Sequence, residues 1–433
     1  MSKPERDARH HSEAETKIGD VRSPFQRDRD RILYTSAFRR LAEVTQVIAA
    51  DDAHVFHNRL THSLEVAQVG RGLAESLLRN QSDLVEELGG VDPDVVEAAC
   101  RAHDLGHPPF GHIAEEELDQ LGREAGLPDG FEGNAQSFRI VTKLAFRSTS
   151  YPGLNLTRAT LNAILKYTWL RGRHGKKKHK WGSYKTEKDI FKWAREGLTG
   201  DGRSIEAELM DWADDVTYSA HDLEDFYRAG KIPLHQLSNR TAKERSKFFD
   251  EVFSRRDGQE GIWQTNRTEM EKAFESVVVG VFEIEEPYNG TKMHRSKLRR
   301  FTGFLIDRYI NGLRLKSAGQ KRVEIDPGKE REVTMLKELT WHYVINDPSM
   351  ASQQFGQRKI ISDLFQIFEK AARTRKNFLI FPKHYQEELE SNPSESLRIV
   401  IDLIAGMTEK QAVIVHQRLT GTALGSALEY TIQ

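Results

Sequence analysis

From Asp28 onward the apolar residues recur at helical steps. Ile32, Leu33, Phe38, Leu41 and Val44 keep mostly to three- and four-residue spacing, as do Leu64, Ala67, Leu73 and Leu77 in a second segment opening near Thr61. A third predicted helix is clearly punctuated: Asp92 caps it, Pro93 fills its first turn, Val95, Val96, Ala99 and Cys100 form its apolar face, and Gly106 with Pro108-Pro109 stops it. Its end carries His103 and Asp104. Further helices are predicted at about 110–124, 131–147 and 157–169, with a long one at about 203–229 closed by Gly230. Residues 265–318 and 331–424 continue helically, broken near Gly319 and Pro327, and a short strand pair is expected around Arg322–Ile325 and Phe378–Phe381. No fixed repeat and no alternating strand–helix rhythm occurs, so the predicted class is all-α with at most a minor strand pair.

Residues 1–27 have little to bury and read as a flexible arm, of a kind that can order across a subunit interface. Residues 28–433 read as a single large helical domain, with a core at about 55–230, a basic insert at 170–186 and a C-terminal helical part at about 231–433. Within the insert, Arg171 to Lys180 holds six Lys/Arg in ten residues and no apolar side chain, which predicts a surface loop. Over the whole chain 64 Lys+Arg meet 65 Asp+Glu, a net charge of −1, so any affinity for nucleic acid must be local. A single cysteine, Cys100, excludes an internal disulfide framework and a cysteine-cage zinc site. No run of about 18 uncharged apolar residues occurs and the start is polar, so a cytoplasmic protein with no membrane span is expected.

The chemistry gathers where His and carboxylates crowd together. Of sixteen His, His62, then His103-Asp104, then Asp214 form a mixed nitrogen and oxygen set suited to Mn²⁺, Mg²⁺, Fe²⁺, Ni²⁺ or Zn²⁺. A lone His-Asp dipeptide carries little weight; the neighbourhood carries more. From His103 to Glu115, three His and two acids crowd into thirteen residues across a helix end, a Pro-Pro turn and the next helix start. His112 and Glu115 are three apart, on one helical face, where a carboxylate can orient an imidazole that activates water. A second reading of Glu115, as a carboxylate favouring a helix N-terminus, stays open. Asp214, Tyr218 and Asp222 step by four along the long helix and either line a pocket wall or form a solvated acidic face with Tyr218 in the core. Arg59 precedes His62 by three, and Lys166 nears a helix end. Walker, dinucleotide, His-Glu-x-x-His and Gly-x-Ser-x-Gly signatures are absent, so phosphate binding would fall to metal, Arg and Lys.

Seven ordered blocks now carry a resemblance: Ala37-Phe-Arg-Arg-Leu with Thr45-Gln-Val, His57 to Arg71, Ala102 to His112, Phe131 to Arg139, Gly153 to Leu161, Ala213 to Asp225, and Ile404 to Thr408. Through them the chain resembles the HD-domain deoxyguanosinetriphosphate triphosphohydrolases over nearly everything after its first 25 residues. The resemblance implies an HD-superfamily helical domain in which His62, His103, Asp104 and Asp214 ligate one divalent metal, Asp215 being set aside because the steps to Tyr218 and Asp222 fit only from Asp214. It places His112 and Glu115 at the catalytic His and acid, and His107 as a candidate proton donor to the leaving group. Gln46 and Asp222 match positions that read the sugar 3′-hydroxyl, Tyr218 the ring beneath the deoxyribose, and Arg59 a phosphate contact, with Lys166 and Arg158 assigned the same task.

The implied reaction is hydrolysis of a dNTP, dGTP included, at the α-phosphorus, giving deoxynucleoside and inorganic triphosphate. Implied partners are other copies of the chain, as a tetramer or hexamer, and a dNTP or single-stranded DNA effector. Two alternatives stand beside it: an HD phosphohydrolase of nucleoside monophosphates or signalling nucleotides, and a nucleic-acid-binding oligomer with a structural metal. The basic insert matches no family motif. It stands as a triphosphate contact, a single-stranded DNA contact or a solvated loop.

Overall fold

Most helices that carry the site start on a side-chain cap; the one opening at His112 starts instead on Gly111, which has no side chain to offer. In the computed structural model, which describes residues 6–13, 19–46, 57–175, 177–198, 200–239, 243–256, 267–345 and 348–423, helix α1 (Pro24–Leu33) opens on a reciprocal cap between Ser23 and Gln26. Helix α2 (Arg59–Asn80) opens on Asn58, whose side chain accepts from the Thr61 N–H, and α3 (Pro93–Ala102) on Asp92. Next come α4 (His112–Glu124), α5 (Gly133–Arg139), α6 (Arg158–Ala163), α7 (Lys188–Ala194) and the long α8 (Ile205–Arg228), capped by Ser204.

Helices α2, α3 and α8 pack into the first core. Val66, Leu73, Val96, Ala99, Ala213 and Val216 are all buried there. Gly70 sets the approach of α2 to α3: a β-carbon on it would lie 2.5 Å from Cys100 Sγ and 3.1 Å from Val96 Cγ1. A second core joins α4, through Ala114 and Leu118, to three C-terminal helices, α11 (Pro348–Ala372), α12 (Ser396–Ala405) and α13 (Glu409–Leu419). Between these parts of the chain run α9 (Lys292–Ile310) and α10 (Pro327–Thr340). Arg139, almost fully buried, ties α5 to α12 by donating to both carboxylate oxygens of Asp402.

The all-α class holds, with one antiparallel pair among the described residues, β1 (Leu313–Leu315) and β2 (Val323–Ile325). Here the expected pairing is corrected. Residues 323–325 are a strand, but their partner is the neighbouring 313–315 across a hairpin containing Gly319 at φ +115°, while Phe378 lies in a 3-10 turn (Arg375–Ile380). The helix expected over 157–169 ends at Ala163, because Leu165 N–H turns to Asn162 O and Lys166 N–H to Ile164 O, tightening the chain. The helix expected over 131–147 runs only over α5 and one π turn (Ile140–Leu144).

The described part of the expected arm is docked rather than free. Arg9 pairs with the fully buried Asp28 at 2.7 Å, His11 N–H donates to Asn155 Oδ1, and Arg6 pairs with Glu206. Polar anchors, which hydrophobic patterning does not register, replace apolar burial there.

Candidate active site

The end of α3 presents His103. Its Nδ1–H donates to the Cys100 carbonyl at 2.6 Å, leaving the buried Nε2 with no hydrogen-bond partner among the described residues. One turn into α2, His62 Nε2 stands 3.2 Å from Asp214 Oδ1, and His103 Nε2 stands 3.6 Å from the same oxygen. Ligand atoms of His62, His103 and Asp214 all lie within 4.8 Å of one another, a donor set that can hold a divalent cation. The field there is negative: burial disfavours a charged His103, yet Asp104 and Asp214 outweigh it and lift the imidazole to about 9. Asp214 resists burial because Lys166 and His103 hold it well below the usual carboxylate range.

Asp104 divides its oxygens. Oδ1 lies 3.3 Å from His103 Nε2 and 3.1 Å from His107 Nδ1, whereas Oδ2 accepts from Arg59 at 2.7 Å. Arg59, the first residue of α2, is therefore buried on the same helical face as His62 and fixes Asp104 while facing the cavity. Burial and Arg59 push the His107 imidazole down to about 4.

Opposite this group, Phe110 and Gly111 both take positive φ, 68° and 60°, turning the chain sharply into α4. The turn aims His112 into open space, its side chain 68% exposed, while Nδ1 bonds Glu115 Oε2 at 2.8 Å. Glu115 is buried; its Oε1 accepts from Lys180 Nζ at 2.8 Å and from Gly133 N–H at 3.2 Å. Despite burial, His112 and Lys180 keep Glu115 well below the carboxylate range.

A cavity of about 490 Å³ joins these pieces. Gln46, Arg59, Lys166 and Tyr218 line it, and Gln46 Oε1 is buried with no partner among the described residues. Lys166 is already engaged, 3.0 Å from Asp214 Oδ2 and 2.9 Å from Asp211 Oδ1. Asp222 is not among the lining residues; it is buried one turn beyond Tyr218, and burial with Asp225 beside it pushes its carboxyl well above the usual range. Arg158 is turned away, paired with Glu196 at 2.7 Å and stacked on Trp193.

Sequence reasoning missed several residues here. Gln353, Gln357 and Arg358 of α11 line the cavity, and Glu409 of α13 accepts from Thr45 N–H and Phe110 N–H. Lys180 and Glu132, which lie 3.2 Å apart, were missed as well. Only the charge density of the insert pointed toward Lys180.

The fold and this cluster are those of an HD-domain protein of the phosphohydrolase class: residues 59–219 match the HD domain and residues 323–418 the phosphohydrolase-associated domain. The chain is 36% identical to a deoxyguanosinetriphosphate triphosphohydrolase-like protein of Streptomyces coelicolor, covering 96% of each chain. It is 34% identical to one of Corynebacterium efficiens, over 94% of this chain and 92% of the relative, and 29% identical to one of Shewanella sediminis, over 96% of each. The chain belongs to the deoxyguanosinetriphosphate triphosphohydrolase-like family. Among the described residues no helix is long and apolar enough to cross a membrane.

Proposed function

We propose that the chain hydrolyses deoxynucleoside triphosphates at the α-phosphorus, releasing a deoxynucleoside and inorganic triphosphate. One observation carries the reading: the His62, His103 and Asp214 donor atoms, the Arg59 cation and the His112–Glu115 pair all face or adjoin one cavity of about 490 Å³. The names of the relatives, deoxyguanosinetriphosphate triphosphohydrolase-like proteins, support this substrate class.

His62, His103 and Asp214, with Asp104 Oδ1 beside His103, would hold a divalent ion such as Mn²⁺ or Mg²⁺, or Fe²⁺, Ni²⁺ or Zn²⁺. Lewis-acid neutralisation of triphosphate oxygens is the chemistry such an ion supplies. The residues do the rest. Arg59 adds a fixed positive charge where phosphate charge develops. His112, its Nδ1–H held by Glu115, accepts the proton of the attacking water at its free Nε2. The new bond joins water oxygen to the α-phosphorus, the bond to the 5′-oxygen breaks, that oxygen takes a proton from solvent water and leaves as the nucleoside hydroxyl, and His112 returns its proton to solvent. Gln46 and Tyr218 would take the sugar, and Asp222 would act from behind Tyr218. Lys166 serves Asp214 before phosphate. A cytoplasmic homo-oligomer, tetramer or hexamer, tuned by dNTP or single-stranded DNA, belongs to the same proposal; the exposed Phe146 and Leu379 offer apolar surface for contacts between copies.

The test is incubation with each of the four dNTPs and Mn²⁺ or Mg²⁺, followed by chromatography. Deoxynucleoside with tripolyphosphate is the expected outcome. Release of pyrophosphate, or turnover of monophosphates alone, would overturn the reading.

A further inference from the structure

Lys180 touches two carboxylates of the site at once. Its Nζ donates to Glu115 Oε1 at 2.8 Å and stands 3.2 Å from Glu132 Oε1. Glu132 is fully buried at the start of α5, where it accepts from Ala135 N–H at 2.9 Å and from Asn134 Nδ2 at 2.8 Å. Lys180 is thus the cation that the described residues place against both acids.

The loop that brings it there is exposed along its middle, Arg173 and Lys177 to His179 included, but anchored at both ends. Trp169 Nε1–H donates to the Lys180 carbonyl at 2.8 Å, and Gly182 N–H donates back to Trp169 O at 3.0 Å. Arg171 stacks over Trp181 and pairs with Asp119 at 2.6 Å. The Tyr184 hydroxyl spans the backbone of Glu132, accepting from its N–H and donating to its carbonyl, both at 3.2 Å. Both sides of Lys180 are therefore anchored to the elements that carry the two carboxylates.

The arrangement answers a physical problem. Glu115 must stay ionised to hold the Nδ1–H of His112, yet a second carboxyl shares its small buried volume, and two unshielded carboxylates at such range cannot both ionise. Burial lifts Glu132 to about 7 against the pull of Lys180, while Glu115 stays low, so of the two acids Glu132 is the first to take a proton as pH falls. With both its contacts being carboxylates, the ammonium's charge is used inside the protein.

We propose that Lys180 is a positioning residue for the His112–Glu115 pair, holding Glu115 ionised and in place against the competing carboxyl of Glu132. The proposal rests on the reading of His112 and Glu115 given above. It gives the basic insert a task in the reaction other than binding triphosphate or DNA.

The experiment compares full-length wild type with Lys180→Ala, Lys180→Arg, Glu132→Gln and the Lys180→Ala/Glu132→Gln pair, by initial rates on a dNTP with Mn²⁺ across pH. Loss of the ammonium should lower kcat about 10- to 100-fold with KM within about threefold, and move the acid limb of kcat upward by about one pH unit or more. Lys180→Arg should keep the wild-type limb. The double variant should regain at least about tenfold over Lys180→Ala, because the competitor is gone. Glu132→Gln alone should stay active and move the acid limb downward, which keeps the idea testable if Lys180→Ala does not fold. A raised KM with kcat intact would make Lys180 a phosphate contact instead. An unmoved limb, or no rescue in the double variant, would reduce it to loop structure. Should wild type not hydrolyse dNTPs at all, carboxyl NMR still decides: the Glu115 signal, assigned by its loss in Glu115→Gln, must titrate higher without Lys180, and an unchanged titration overturns the proposal.

Discussion

His103 donates its Nδ1–H to the carbonyl of Cys100, 2.6 Å away in the last turn of α3. That bond orients the ring so that Nε2 lies in the same small volume as His62 Nε2 and Asp214 Oδ1, where a cation would take the place of the Nε2 proton. His103→Ala should therefore weaken Mn²⁺ binding by about 100-fold or more, read by calorimetry, with turnover falling in parallel. Unchanged binding would mean that the ion sits elsewhere.

The His112–Glu115 pair separates from the metal donors in its effects. His112 hydrogen-bonds Glu115, meets the His107 ring edge-on with centroids 5.4 Å apart, and otherwise faces the cavity. His112→Ala should lower kcat by about 10² to 10⁴ while leaving Mn²⁺ affinity intact. Glu115→Gln should give a smaller loss, since an amide can still accept from Nδ1–H but offers no charge to the imidazolium that forms. Turnover of His112→Ala within a fewfold of wild type would remove it from the proton transfer.

The start of α3 was legible because a cap is a local signal: Asp92 bonds an N–H two residues on, and Asn58 and Ser204, which the sequence reading did not single out, cap α2 and α8 in the same way. The donors His62, His103 and Asp214 were legible as ordered motifs, and the packing of α2, α3 and α8 brings them together. What the sequence concealed depends on pairing across the chain. Glu409 reaches Phe110 over 299 positions, and Lys180 reaches Glu115 over 65. Helical spacing constrains neighbours three and four apart and carries nothing about such distances. Arg158 failed for a related reason: its local setting at the start of α6 looked right, but Trp193 and Glu196 hold it outside the cavity.

Gly70 makes a packing prediction that also bears on the site, since Cys100 is the residue whose carbonyl holds His103. A β-carbon at position 70 would meet Cys100 Sγ at 2.5 Å in a fully buried setting. Gly70→Ala should destabilise the fold by about 1–3 kcal/mol through overpacking, measured by urea denaturation. Removing the sulfur in Gly70→Ala/Cys100→Ala should recover part of that loss; additive losses would show that the strain is taken up by Val96 instead.

His57 makes a prediction with a defined sign in pH. Its Nδ1 bonds Asp225 Oδ2 at 2.6 Å, its Nε2 lies 3.2 Å from Glu65 Oε1, and its ring stacks on His221 at 5.1 Å. Burial disfavours the charged imidazole, but the bonds to Asp225 and Glu65 prevail and raise it to about 10 from an ordinary 6.5. A group raised on folding contributes its full stability below the unfolded value and loses it as pH climbs through the folded one. Unfolding free energy should thus fall between about pH 6.5 and 10, by at most about 1.4 kcal/mol per pH unit for one proton. His57→Gln should flatten that decline without altering stability trends below pH 6. Equal slopes in wild type and variant across this window would show that the imidazole is neutral in the folded protein and that the link from α2 to α8 is a simple hydrogen bond.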